Sequence, residues 1–312
     1  MANERPDTKR IDEATGTGFV GHEWDGIEEL DTPMPRWWLW TFYLTIAWAL
    51  VYVVLYPAWP LIAKGTEGTL GWTSRGQLAA EMGDAEKARA ELNRQIATVS
   101  LADLQADPEL MSKAVAGGAA AFKVNCIQCH GTGAAGSQGL GYPNLADDDW
   151  LWGGDLAAIE ITLKHGIRDA GDGETRISAM PPFAGVFDQS QLSALADHVL
   201  SFSGKAKSSP VGAQIYADNC VACHGEKGQG DRVQGAPRLS DAIWLYGGTR
   251  EEIIRQVLDP HMGMMPAWGK RLDPVTIRML AAYVHSLGGG EDFATVEAKG
   301  EQTPAVDGDE QP

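Results

Sequence analysis

Basic residues are scarce in this sequence, which has 25 lysines and arginines against 42 aspartates and glutamates, a formal net charge of -17. Binding to nucleic acid needs clustered lysine and arginine, so the composition argues against a nucleic-acid partner. The acidity suits a basic protein partner, or it simply keeps the protein soluble. The hydrophobic and charged fractions, 44% and 21%, are ordinary, so most of the 312 residues are expected to form packed cores.

Cysteine is rarer still, with four residues, and its arrangement is informative. The four cysteines form two motifs, Cys126-Ile127-Gln128-Cys129-His130 and Cys220-Val221-Ala222-Cys223-His224. Both read C-x-x-C-H, the pattern of c-type haem attachment. In that pattern the two sulfurs form thioether bonds to the haem vinyl groups, and the histidine becomes the proximal ligand of the iron. The sequence therefore predicts two covalently bound haems c, with His130 and His224 as axial ligands.

Other uses of C-x-x-C pairs fit less well. A zinc ribbon separates its two pairs by about 15 to 20 residues, whereas 220 − 129 − 1 = 90 residues separate them here. A thioredoxin-like site needs one motif in a βαβ setting, and that setting is absent. Structural disulfides would not explain a histidine after each pair.

An internal repeat surrounds the two motifs. At an offset of 220 − 126 = 94, further residues coincide: Asn125 with Asn219, Pro143 with Pro237, Leu145 with Leu239, Trp150 with Trp244, and Gly153-Gly154 with Gly247-Gly248. Further along the chain the offset falls to 280 − 195 = 85, so the second copy is nine residues shorter near Arg168 to Glu174. Such agreement indicates a duplicated domain.

The shorter offset also places Met180-Pro-Pro-Phe over Met265-Pro-Ala-Trp, since 265 − 180 = 85. A methionine opposite a histidine raises the reduction potential of haem, as suits an electron relay. We therefore predict Met180 and Met265 as the distal iron ligands. Met262 and Met264 remain alternatives to Met265, and methionine is often only core filler. No histidine pairs with another histidine across the repeat, which disfavours ligation by two histidines.

The helical pattern predicts an all-α chain. Each C-x-x-C-H lies on a helix, and further helices are expected near Leu156 to His165, Gln189 to Ser201, Arg250 to Leu258 and Pro274 to Ser286. Four aromatic residues line the haem crevices or serve generic core packing: Trp150, Trp152, Trp244 and Tyr246. The repeats delimit cytochrome c domains at 113–204 and 209–288, and an acidic tail at 289–312 is expected to be disordered.

One uncharged run of 59 − 37 + 1 = 23 residues begins at Trp37. It is long enough to span the ~30 Å hydrocarbon layer, and aromatic residues crowd both ends. We assign a transmembrane helix to 37–60, a cytoplasmic segment to 1–36 and a linker to 61–112. Within the linker, Arg75 to Val99 reads as an amphipathic helix that docks on a partner subunit or on the chain's own haem domains.

The chain resembles the dihaem subunit of cbb3-type cytochrome c oxidases, subunit III, from about Gly21 to Gly288. The most specific part precedes the span, in His22-Glu23-Trp24-Asp25-Gly26-Ile27-Glu28-Glu29 and Pro33-Met34-Pro35-Arg36-Trp37-Trp38. One early anchor followed by two tandem class I cytochrome c domains also matches. The resemblance implies that the carbonyls of Pro143 and Pro237 accept the proximal imidazole N–H groups.

The resemblance also implies the function. Electrons would enter from a cytochrome c or a quinol-oxidising complex and leave for a monohaem cytochrome subunit and the catalytic, oxygen-reducing subunit. Haem is attached outside the bacterial inner membrane, so both domains would be periplasmic. With both axial positions filled, the chain by itself would not be an enzyme. The rival interpretations are a cytochrome subunit of a periplasmic dehydrogenase, a dihaem peroxidase, and a gas-binding or assembly module.

Overall fold

Helices dominate the residues that the computed structural model describes, 10–293, as the all-α prediction requires. The elements in chain order are β1 Phe19–Trp24, β2 Ile27–Leu30, α1 Arg36–Leu55, α2 Ser74–Thr98, α3 Leu101–Ala106, α4 Pro108–Asn125, α5 Ile127–His130, α6 Leu156–His165, α7 Gln189–Ser201, α8 Pro210–Asn219, α9 Val221–His224, α10 Arg250–Leu258 and α11 Pro274–His285. The chain divides into two compact units between Ala88 and Arg89.

The first unit contains a small antiparallel hairpin that the all-α prediction missed. Strands β1 and β2 pair Trp24 with Ile27, and the two residues between them, Asp25 and Gly26, have φ angles of 48° and 83°. Two successive positive φ angles favour a glycine and a short polar residue, because other side chains clash there. The Asp-Gly dipeptide is therefore the signal that fixes this turn.

Helix α1 is the one helix, within the described part of the chain, that is long and apolar enough to cross a membrane. None of its 20 residues is buried against the protein. At about 1.5 Å per residue it is roughly 30 Å long, the thickness of the hydrocarbon layer. It ends at Leu55, earlier than the predicted end at residue 60, because Pro57 has no N–H to donate and the chain turns extended at Tyr56.

Helix α2 confirms the helix expected from Arg75 to Val99. The two large apolar residues in its first half, Leu78 and Met82, are each 55% exposed. In the second half, Ile96 is fully buried in the core of the second unit. The C-terminal end of α2 therefore packs into the core of the second unit.

The second unit has two cores, and each core combines helices from both sequence repeats. In the first core, helix α4 of the first repeat packs mainly against α11 of the second repeat, and α11 also packs on α6. In the second core, helix α7 of the first repeat packs against α8 and α10 of the second repeat. The predicted ranges 113–204 and 209–288 are sequence repeats, but neither range forms a core from its own residues alone.

The first residues of the predicted disordered tail, 289–293, make specific contacts with the second unit. Within its described part, the Gly289 carbonyl accepts a hydrogen bond from Trp150 Nε1 at 2.6 Å, and Phe293 packs against the first core. Glu291 receives the Gly154 N–H at 2.8 Å and forms a bidentate pair with Arg232. Residues 289–293 are therefore ordered by contacts with both repeats. The rest of the predicted tail, 294–312, lies outside the described residues.

Candidate haem sites

The two C-x-x-C-H motifs have the same local structure. In each, the first cysteine ends a long helix, α4 or α8, and the remaining four residues form a single helical turn, α5 or α9. A glycine with positive φ follows each histidine, Gly131 at 77° and Gly225 at 74°. Only glycine adopts this conformation without strain, so it ends the turn directly after the histidine. The sequence thus places two sulfurs and one imidazole on one turn, twice.

The four cysteines are free thiols, and the second of each pair, Cys129 and Cys223, is exposed. Burial, and to a lesser extent the neighbouring cysteine, raises the pKa of Cys126 and of Cys220 to about 11. At neutral pH these two are protonated thiols, unlike the low-pKa cysteines of redox enzymes. Across residues 10–293, no three His, Cys, Asp or Glu side chains come together in a group that could hold a metal ion.

The motif histidines are oriented by backbone carbonyls. His130 Nδ1 lies 3.2 Å from the Pro143 carbonyl oxygen, and His224 Nδ1 lies 3.0 Å from that of Pro237. Because a carbonyl can only accept, Nδ1 must carry the proton and Nε2 keeps its lone pair for a metal. Burial lowers the pKa of both imidazoles, which favours the neutral, metal-binding form. The two prolines occupy the places that the family resemblance implied.

In simple tandem domains, each methionine would share a core with the C-x-x-C-H motif of its own repeat. Here each methionine shares a core with the motif of the other repeat. Met265, from the second repeat, packs against the first core, which also contains Cys126. Met180, from the first repeat, packs against the second core with Cys220. Met262 and Met264 are 45% and 64% exposed, so the packing favours Met265 over both alternatives. Each C-x-x-C-H motif therefore shares its core with the methionine of the other repeat.

The Met265 backbone is held by a segment to which the sequence analysis gave no role. Ile167 exchanges two backbone hydrogen bonds with Met265, at 2.9 Å and 3.0 Å. Asp169 Oδ2 accepts the Ala267 N–H at 2.7 Å. Both residues belong to the loop 166–176, where the first repeat has its extra nine residues. The change of offset from 94 to 85 is the signal that could have identified this loop as a special feature.

Aromatic residues join each site to the other repeat. Trp152 lies against Gly235, and Tyr246, its counterpart at an offset of 246 − 152 = 94, lies against Gly141. Gly235 and Gly141 are also 94 residues apart, and both have positive φ. A side chain at either glycine would overlap or crowd the aromatic ring. These contacts make the loop after each motif histidine depend on the opposite repeat.

The residues present fit a covalently attached haem at each site. Each site offers two free thiols, an imidazole with an available Nε2, and a methionine in the same core. In addition, the buried Nε1 atoms of Trp152 and Trp244 have no hydrogen-bond partner within the described chain. An unpaired buried donor costs about 1–3 kcal/mol, and an added polar group such as a haem carboxylate would satisfy it.

Comparison with known proteins identifies the family. Residues 16–63 match the N-terminal domain of cytochrome oxidase-cbb3, FixP, and residues 113–199 and 209–284 match cytochrome c oxidase, cbb3-type, subunit III. The chain belongs to the subunit III family of cbb3-type cytochrome c oxidases. It is 52% identical to the cbb3-type cytochrome c oxidase subunit CcoP of Cereibacter sphaeroides over 87% of this chain and 95% of that relative. It is 50% identical to subunit FixP of Rhizobium meliloti over 91% and 98%.

Membership of this family confirms the predicted resemblance and the fold class, one candidate membrane helix followed by two cytochrome c domains. It also confirms the predicted function of an electron-transfer cytochrome subunit of a cbb3-type oxidase, and gives no support to the dehydrogenase alternative. The cytochrome c domains imply haem c as the cofactor. As a subunit of an oxidoreductase complex, the chain has partners in that complex.

Proposed function

We propose that this chain binds two haems c and relays electrons through them from a periplasmic cytochrome c, soluble or membrane-bound, or a quinol-oxidising complex. The electrons leave for a monohaem cytochrome subunit and the catalytic subunit that reduces oxygen to water. Each haem supplies one reversible one-electron couple at its iron. The observation that carries the proposal is the duplicated set of two thiols, an oriented imidazole and a packed methionine.

The axial ligands are proposed to cross between the repeats. Simple tandem domains would pair His130 with Met180 and His224 with Met265. The cores favour the opposite arrangement, His130 with Met265 and His224 with Met180, because each methionine packs with the motif of the other repeat. The prolines keep each imidazole in the tautomer that can bind iron, and the methionine of the other repeat would supply the second axial ligand.

With a protein ligand on both sides of each iron, neither site has an open position for oxygen. We therefore propose that this subunit is not catalytic by itself, and that oxygen reduction occurs elsewhere in the complex. The alternative of a dihaem peroxidase requires a displaceable distal ligand at one haem. Binding of carbon monoxide to either ferrous haem of the folded protein would favour that alternative.

We also propose that α1 anchors the chain in the bacterial inner membrane with the preceding residues in the cytoplasm and the haem regions in the periplasm. Haem attachment on the periplasmic side requires this orientation for both motifs. A reporter enzyme that is active only in the periplasm should be active when fused after Pro210 and inactive when fused before Arg36. The reverse pattern would contradict the proposed topology.

A ligand swap in protein that carries one haem tests the crossed pairing. Replacing Cys220 and Cys223 by serine leaves attachment only at the first motif. In this background Met265→His is expected to lower the reduction potential of the remaining haem, because imidazole stabilises ferric iron more than a thioether does. Met180→His should leave that potential unchanged and serves as the matched control. Redox titration followed by visible absorbance measures both.

The reciprocal background, with Cys126 and Cys129 replaced by serine, should respond to Met180→His and not to Met265→His. A fall in potential on Met180→His in the first background would instead support uncrossed pairing. Counting the covalent haems per chain in the unmodified protein tests the proposed number of two. Purification from the native membrane tests the proposed partners, because the catalytic and monohaem subunits should copurify.

A further inference from the structure

Arg168 occupies an unusual place in the loop 166–176. Its φ angle is 55°, in the left-handed region where residues other than glycine are uncommon. Its backbone N–H donates to the Arg176 carbonyl at 2.9 Å, which fixes the loop in this conformation. A residue held in a disfavoured backbone conformation suggests that its side chain is needed where it lies.

The guanidinium of Arg168 reaches both methionine loops at once. Its Nε donates to the Gly263 carbonyl at 2.6 Å, and its Nη1 donates to the Ser178 carbonyl at 3.1 Å. Gly263 lies two residues before Met265, and Ser178 lies two residues before Met180. The two carbonyls are related by 263 − 178 = 85, the same offset that relates the methionines. One side chain therefore binds equivalent atoms of both repeats.

The chemistry of arginine suits this bridge. The planar guanidinium presents several N–H donors in a fixed fork, whereas a lysine ammonium is a single point on a flexible stem. Burial lowers the pKa of Arg168, but an arginine starts from a pKa so high that it stays charged. No carboxylate forms an ion pair with it within residues 10–293, so the carbonyls of the two loops are its principal partners. Hydrogen bonds from a charged donor are stronger than those from a neutral one.

The second repeat has no counterpart of Arg168, because the nine additional residues occur only in the first repeat. A single arginine therefore serves two sites. Arg176, in the same loop, has a different role: it bonds Thr162 Oγ1 at 2.9 Å and the Ala158 carbonyl at 3.2 Å, both on the preceding helix α6. Of the two arginines in this loop, Arg168 therefore contacts both methionine loops, whereas the hydrogen bonds of the Arg176 side chain go to α6.

We propose that Arg168 is a positioning residue for both haem sites, which ties the loops of Met180 and Met265 together by hydrogen bonds to the equivalent Ser178 and Gly263 carbonyls. This inference rests on the proposed function of the two methionines as iron ligands. Loss of the bridge should loosen both methionines together. Each loop would then open more often and admit a competing ligand to the ferric iron.

The test measures imidazole binding to each ferric haem of the full-length, haem-loaded protein in detergent. Arg168→Gln is expected to raise the affinity of both haems for imidazole on the order of tenfold, the equivalent of one lost charge-assisted hydrogen bond per loop. The sulfur-to-iron charge-transfer band of the ferric protein should weaken in parallel. Arg168→Lys, which keeps the charge but lacks the fork, should loosen at least one site.

Two other variants provide matched controls. Asp169→Asn removes the carboxylate that holds only the Met265 loop, through the Ala267 N–H. It should loosen one haem and leave the other unchanged. Arg278→Gln removes a second partly buried arginine, which contacts Ile96, Val99 and Glu160 but neither methionine loop. It should change the imidazole affinity of neither haem, although it should lower the melting temperature.

A change at one haem only in Arg168→Gln, or at neither, would overturn the proposal, as would Arg168→Lys with both haems unchanged. If the glutamine variant does not fold, the lysine variant decides by the same criterion. Failure of the ligand pairing looks different: Asp169→Asn would then loosen the haem attached at Cys220 and Cys223, while Arg168→Gln still affected both.

Discussion

The crossing of α4 and α11 is close enough that one added methyl group should disturb it. A Cβ atom at Gly118 would overlap the Met279 carbonyl oxygen and would lie 2.7 Å from Tyr283 Cβ. Neither the backbone of α11 nor a Cβ can move without moving the helix. Gly118→Ala should therefore push the two helices apart and destabilise the second unit.

The adjacent glycine supplies a matched control. A Cβ at Gly117 would overlap Met279 Sδ, the far end of a flexible side chain that can rotate away. Both substitutions gain about 1 kcal/mol from the higher helix propensity of alanine. Overpacking costs about 1–3 kcal/mol, with the upper end expected against a backbone and the lower end against a side chain. The net effect is a loss of about 2 kcal/mol for Gly118→Ala and near zero for Gly117→Ala.

Thermal unfolding of the full-length, haem-loaded protein measures the difference. For a unit of this size, about 2 kcal/mol corresponds to a fall in melting temperature of roughly 4–8 °C. Gly212→Ala in α8 should behave like Gly118→Ala, because its Cβ would overlap the Ala194 carbonyl oxygen of α7. Equal melting temperatures for Gly118→Ala and Gly117→Ala would show that α4 does not cross α11 at this point.

Two further predictions concern charged groups in the second unit. Arg278→Gln should lower its stability by about 2 kcal/mol, since the guanidinium donates to the Ile96 and Val99 carbonyls at 2.7 Å each; an unchanged melting temperature would contradict this. Burial, with Asp241 and Asp147 nearby, raises the pKa of Asp149 to about 6, above its ordinary value near 3.9. The folded state thus holds the proton more tightly, so this carboxyl's contribution to stability falls as pH rises from about 4 to 6 and stays low above. Asp149→Asn should therefore raise the melting temperature above the unmodified protein at pH 7 but not at pH 4, and a gain that is independent of pH would refute the assignment.

Helix positions were predictable because their signals are local. The predicted bounds of α6, α7 and α10 agree with the structure. At α7, Asp188 and Gln191 form a capping box, and at α10 Thr249 and Glu252 do the same. Such residues satisfy the first unpaired N–H groups of a helix, so the sequence itself marks the start. The haem motifs were recognisable for the same reason, since their chemistry lies within five consecutive residues.

Which helices pack together was not predictable from these signals. The apolar face of α4 suits the last helix of either repeat, because α7 and α11 descend from one pattern and align at an offset of 85. A face that fits two similar partners carries no local information about which one it meets. The β1–β2 hairpin is a different case, because the Asp25-Gly26 dipeptide is a strong turn signal. The hairpin was not predicted, because its two strands are short and largely exposed and so carry little alternation of apolar and polar residues.

The exchanged packing has a consequence for electron transfer that separate domains would not have. In two separate domains, each site could form alone, and a linker such as 205–209 would let the distance between them vary. Here each core combines helices from both repeats with the methionine of the repeat that does not carry its C-x-x-C-H motif. With the proposed crossed pairing, neither site would be complete before the other repeat has folded. The separation of the two sites is then fixed by the same contacts that build them. Since electron transfer depends steeply on distance, a fixed separation would keep the rate of transfer between the two proposed haems constant.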